Sequence, residues 1–126
     1  MQGVMTGISV FNKLWDLFDR ISKGNILHDK QVDLALKETH VALVATQAYL
    51  RRNSDSSRDP EKESELSGLW YSASIPMRHV NVELADILNV KGGYWSNPDV
   101  WNELASENID ITIENVTKLT SKLLHK

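Results

Sequence analysis

Apolar side chains recur every three to four residues along most of the chain, which is the spacing of amphipathic α-helices. The first such stretch covers residues 7–23 and carries its polar residues on the opposite side. Its apolar members are Ile8, Phe11, Leu14, Trp15, Leu17, Phe18 and Ile21. We predict a first helix capped by Thr6 and ended by Gly24, because glycine readily adopts the left-handed conformation that follows many helices.

A second apolar pattern runs over residues 29–53 and covers more than one side of its helix. The main stripe consists of Val32, Leu36, Leu43 and Leu50, and the other side carries Leu34, Val41, Val44 and Ala48. A helix that is apolar nearly all round is packed by neighbours on several sides. The pattern therefore predicts that this helix, capped by Asp29, is the most central element.

The third helix is predicted to start at Asp59 and Pro60, where an aspartate can cap the first turn and proline fits the first helical position. Pro76 has no backbone N–H to donate, so we predict that the helix kinks or breaks there. A further helical segment is expected over residues 77–90.

Two more helices are predicted in the remaining chain. Asn97 followed by Pro98 repeats the start signal and predicts a short helix over residues 98–105. The final helix is predicted over residues 110–125, with an apolar stripe that continues to its end. Its members are Ile113, Val116, Leu119, Thr120 and Leu123.

The patterns together predict an all-α fold, an antiparallel (up-down) four-helix bundle, in a single domain over residues 1–126. Short connections favour antiparallel neighbours in such bundles. A length of 126 residues suits one domain with one core. The 41% of hydrophobic and 25% of charged residues are typical of globular proteins.

Charge and composition narrow the classes of partner. The net charge is −3 and the chain contains no cysteine, so the sequence disfavours nucleic acid, an anionic membrane surface, disulfides and thiolate metal sites. We find no basic segment followed by an apolar run, and hence expect no signal peptide. A soluble, cytoplasmic protein without a cofactor is expected.

The sharpest polar constellation is His79, Glu83 and Asp86. At spacings of four and three residues these side chains share one face of a continuous helix. An imidazole and two carboxylates in this arrangement suit a divalent metal or a proton shuttle. The alternative is an ordinary solvated face beside the Leu84 stripe.

The segment Glu83-Leu84-Ala85-Asp86 resembles the E-x-x-D half of the metal motif of MazG-type all-α nucleotide pyrophosphohydrolases. The E-x-x-E half of that motif has no counterpart at the expected distance. The resemblance implies a magnesium-dependent cleavage of nucleoside triphosphates, with Glu83 and Asp86 as ligands. Glu38 or His79 would contribute to the site.

A second group of residues predicts a small-molecule pocket between the second and third helices, lined by His40, Gln47, Trp70 and Tyr94. The competing interpretation is that these are core groups that form hydrogen bonds and fix the helix register.

The aromatic segment with Tyr94, Trp95 and Trp101 offers a rigid surface to a partner, since tyrosine and tryptophan are typical interface anchors. The alternative is that these rings close the end of the bundle over Trp70.

The function favoured by the sequence is a non-enzymatic helical module that acts by self-association or by binding another protein. A homodimer is expected, because a helix that is apolar on two sides commonly buries one side against a second subunit. The nucleotide pyrophosphohydrolase and the small-molecule binder remain as alternatives.

Overall fold

The computed structural model describes residues 7–52, 59–89 and 110–125, and these residues form five α-helices and no strand. The all-α class is therefore confirmed. The helices are α1 (Gly7–Ser22), α2 (Lys30–Arg52), α3 (Pro60–Val80), α4 (Val82–Leu88) and α5 (Asp110–Leu124). Thr6 and the short helix predicted over residues 98–105 lie outside the described residues.

Helix ends follow the local signals in the sequence. Gly24 has a φ of 80°, the left-handed conformation expected after α1. The Asp29 carboxylate accepts a 2.9 Å hydrogen bond from the Val32 backbone N–H at the start of α2. Asp59 does the same for Lys62 in α3 at 3.2 Å. These caps satisfy donors that the first helical turn leaves unpaired.

The break after α3 lies five residues beyond the predicted position. The helix continues through Pro76 to Val80, so it does not break at Pro76, and the alternative of a kink there stays a prediction. Proline lacks one backbone donor and crowds the carbonyl four residues earlier, yet the helix accommodates Pro76, whose side chain is buried. The chain leaves the helix at Asn81, whose backbone is extended. The Asn81 side chain accepts a hydrogen bond from the Leu84 backbone N–H and so caps the start of α4.

Side-chain bonds fix the relative directions of three helices. Tyr49 and Thr46 of α2 bond to Glu63 and Trp70 of α3, in reverse order along the two helices. The end of α2 likewise bonds to the start of α5. Both α3 and α5 thus run antiparallel to α2. In a strict up-down bundle the fourth helix runs parallel to the second, whereas α5 runs antiparallel to α2. The strict up-down order is therefore not confirmed.

The core lies between α1 and the other helices. All five helices contribute fully buried side chains to it, among them Phe11, Phe18, Leu36, Leu43, Leu66, Trp70, Met77, Leu88 and Ile113. The α2 helix packs mainly against α3 and α5. Its opposite side is exposed at Leu34, Val41, Val44 and Ala48. Two helices cover α2, but the packing predicted for this opposite side is not present among the described residues.

No helix in the described part of the chain has the length and apolar character needed to cross a membrane.

Candidate functional site

The predicted His79/Glu83/Asp86 group is split between two helices. His79 ends α3, whereas Glu83 and Asp86 belong to α4, and the extended backbone at Asn81 lies between them. The regular spacing that would align the three side chains on one helix is therefore interrupted. The described residues contain no cluster of three or more histidine, aspartate, glutamate or cysteine side chains arranged to hold a metal ion.

His79 instead contacts the start of α2. Its Nε2 atom lies 3.2 Å from the Asp29 carboxylate, which also accepts the capping bond from Val32. The backbone bond from Val32 and the bond to His79 lower the pKa of Asp29, against the opposing effect of partial burial. Periodicity and capping signals do not indicate this contact, because the two residues are 50 positions apart in the chain.

Glu83 lies at the surface, where 75% of its side chain is exposed and its carboxylate is 3.9 Å from Lys13 Nζ. It lines a shallow pocket of about 200 Å³ with Lys13, Asp16 and Arg20. The pocket carries both positive and negative groups, and Asp86 is not among its lining residues. The described residues therefore do not bring together the ligands of the magnesium site that the pyrophosphohydrolase resemblance implies, and that site stays a prediction.

The residues predicted to line a pocket between α2 and α3 point in different directions. Gln47 donates 3.3 Å hydrogen bonds to the backbone and side chain of Asp110 at the start of α5. Trp70 is fully buried and donates a 2.9 Å bond to the Thr46 hydroxyl. Its ring meets Phe11 edge to face at 6.0 Å. Both residues form hydrogen bonds between helices, as expected if they fix the helix register rather than line a ligand pocket.

His40 is the remaining described member of that group and faces α5. Burial lowers the pKa of its imidazole, and the charge of His125 adds to the effect. Among the described residues, the buried Nδ1 atom has no hydrogen-bond partner, and neither has the neighbouring Thr39 hydroxyl. This environment favours a neutral imidazole. Tyr94, Trp95 and Trp101 lie outside the described residues.

An exposed apolar surface on α2 and α3 is the most distinctive feature of the described chain. It consists of Leu34, Val41 and Val44 on α2 with Tyr71 and Ile75 on α3, and we call it the α2–α3 face. Each of these side chains is between 45% and 57% exposed. The Thr46–Trp70 bond sets the antiparallel register, which places Val41 and Val44 at about the height of Ile75 and Tyr71.

The sequence pattern indicated only the α2 half of this surface, for which we expected packing by neighbouring helices or burial against a second subunit. Tyr71 and Ile75 were not predicted as part of it. Their spacing of four residues places both on one side of α3, apart from the buried stripe that contains Trp70, and this spacing is visible in the sequence. Comparison of the chain with models of known protein families, with curated proteins and with solved structures found no match.

Proposed function

We propose that this chain is a helical-bundle protein that acts by contact with another protein, through the α2–α3 face. The observation that carries the proposal is the alignment of five large apolar side chains, each about half exposed, on two adjacent helices. Single exposed apolar residues are ordinary on protein surfaces, whereas contiguous groups mark interaction sites.

The energetics favour covering this face. Burial of apolar surface contributes about 25 cal/mol per Å², and tyrosine is among the residues that dominate interface energies. Charged residues surround the apolar group: Lys37 and Glu38 on α2, and Glu65 and Arg78 on α3. An apolar centre with a polar rim is the usual composition of a protein interface.

A site-specific photo-cross-linker at position 75 tests the proposal, with the same cross-linker at Ile111 as the control. Ile111 is 67% exposed on α5, away from the α2–α3 face. We expect a defined protein adduct, with the chain itself or another protein, at position 75 alone. Competition by the unlabelled chain should remove the adduct, and Val41→Glu should weaken it.

Equal adducts at positions 75 and 111, or none at either, would count against an interface on this face. Circular dichroism melts of each variant separate a lost contact from a lost fold.

A further inference from the structure

We propose that a pocket between α1 and α5 binds the base of an adenine nucleoside or nucleotide. The pocket has a volume of about 210 Å³. It is separate from the α2–α3 face, so this inference does not depend on the proposed function. Three properties of the pocket support it: the arrangement of its side chains, their unused hydrogen-bonding groups and their lack of charge among the described residues.

Each of the two helices contributes one wall of the pocket. Asn12 and Trp15 lie about one turn apart on α1, and Thr112 and Asn115 lie about one turn apart on α5. Each pair therefore shares one side of its helix. Val116 is 1% exposed and adds a buried apolar surface. An apolar surface with a few polar groups that fix the orientation of a ligand is typical of small-molecule sites.

The polar groups of this pocket do not hold the fold together. The side chains of Asn12, Trp15 and Asn115 form no hydrogen bond within the part of the chain that the structure describes. Between α2 and α3, in contrast, Trp70 donates to the Thr46 hydroxyl. Polar groups at a helix–helix contact are normally paired in this way. The groups between α1 and α5 therefore remain available to a ligand.

The volume of the pocket suits a single ring system. Pockets for drug-sized ligands span about 300–1,000 Å³, so this smaller pocket would take a base and leave the ribose and phosphate in solvent. The side of α1 that carries Trp15 was predicted to be buried, yet Trp15 is 39% exposed. Its indole offers a flat surface on which a base can stack, as bases do on aromatic side chains.

The chemistry of the lining selects adenine among the bases. A side-chain amide both donates and accepts, which matches the amino group and the adjacent ring nitrogen of adenine. Guanine is typically bound by arginine or lysine, and cytosine by aspartate or glutamate. The described lining contains none of these four residue types.

The two walls match the two edges of adenine. Its amino group carries two hydrogens and lies between two acceptor nitrogens, one on the Watson–Crick edge and one on the Hoogsteen edge. Asn12 and Asn115, on opposite walls, would each pair with one edge. A strand of nucleic acid is a poor source of this base, because the net charge of the chain is −3.

Nuclear magnetic resonance of the isotope-labelled chain tests the proposal. The indole N–H signal of Trp15 is assigned by its loss in Trp15→Phe. We expect adenosine to shift this signal saturably, with a Kd of about 1 mM or below. The indole signal of Trp70 should stay in place, because that ring is fully buried and bonded to Thr46. Adenosine and its monophosphate should bind alike, since the described lining has no charge to recognise phosphate.

Substitutions of nearly equal size test the two walls. Asn115→Asp and Asn12→Asp keep the shape of each side chain but leave it able only to accept hydrogen bonds. Each should raise the Kd for adenosine about tenfold or more. Trp15→Leu should have a similar effect by removing the stacking surface. Gln31→Glu makes the same change of amide to carboxylate at an exposed position on α2, and this control should leave the Kd unchanged.

Thermal melts establish that each variant is folded before its Kd is compared. The proposal would be overturned by the absence of a saturable Trp15 shift at adenosine concentrations about ten times that Kd. Equal binding of guanosine or cytidine, or of a neutral monosaccharide, would refute adenine as the ligand. Binding of the monophosphate alone would show that phosphate is recognised, and would refute the base as the recognised group.

A Kd that neither asparagine substitution changes would place the binding site elsewhere and would also overturn the proposal.

Discussion

Two leucines on α2 provide the strongest test of which side of this helix is buried. Leu36 is 0% exposed in the core, whereas Leu34 is 45% exposed on the α2–α3 face. The substitutions Leu36→Ala and Leu34→Ala remove the same atoms from the same helix, two positions apart. Any difference in their effect on the free energy of unfolding therefore reports on burial rather than on helix propensity.

The expected magnitudes differ severalfold. Removing a fully buried leucine side chain costs about 2–5 kcal/mol, because a transfer contribution and a cavity contribution add. A chain of this length has a free energy of unfolding of about 6–19 kcal/mol, so Leu36→Ala removes a large share. Leu34 leaves no enclosed cavity, and we expect Leu34→Ala to cost about 1 kcal/mol or less in the monomer.

Urea unfolding followed by circular dichroism measures both values, at a protein concentration low enough to keep the chain monomeric. The midpoint should fall strongly for Leu36→Ala and little for Leu34→Ala, with unchanged slopes. Equal losses would show that α2 is packed on both sides, as the sequence pattern predicts. The α2–α3 face would then not exist as an exposed surface.

Three further predictions concern local contacts. Burial lowers the pKa of His40 below its ordinary value of 6.5, so the unfolded chain binds more protons than the folded chain near that pH. The stability of the fold should therefore fall as the pH drops below 6.5, and His40→Gln should reduce this fall in thermal melts. Asn81→Ala should cost about 0.5–2 kcal/mol in urea unfolding by removing the α4 cap, and Asn81→Ser should retain most of it. The Arg51 guanidinium holds the pKa of Asp110 below its ordinary value of 3.8. The ion pair should therefore contribute to stability above that pH, and Arg51→Ala should remove this contribution. The difference between the two chains should disappear as acid protonates the carboxylate.

Each of these has an outcome that contradicts it. A His40→Gln variant with the same pH dependence as the unaltered chain would assign the effect to another group. Equal stabilities of Asn81→Ala and Asn81→Ser would show that the side chain does not cap α4. A loss in Arg51→Ala that persists unchanged at acid pH would point to packing of the arginine rather than to its charge.

The metal-dependent alternative can be examined in the same melts. Magnesium with a nucleoside triphosphate should not raise the melting temperature if Glu83 is surface charge paired with Lys13, because only ligands that bind the folded state stabilise it. A joint shift that is lost in Glu83→Ala would revive the pyrophosphohydrolase hypothesis.

The sequence by itself determined the helices and most of their ends. Gly24, Asp29 and Asp59 act within a single helical turn, where the backbone donors and the side chain that satisfies them are adjacent in the chain. The core stripes were predictable for the same reason, since a period of about 3.6 residues places successive apolar groups on one side of a helix.

The tertiary structure decided which apolar sides are covered and which polar residues meet. Leu34 and Leu36 are equally apolar in the sequence, and only the positions of α3 and α5 leave the first exposed and bury the second. The pairing of His79 with Asp29 spans 50 residues, and the predicted alignment with Glu83 was lost to one extended residue at Asn81. Periodicity describes one helix at a time, whereas burial depends on where its neighbours pack.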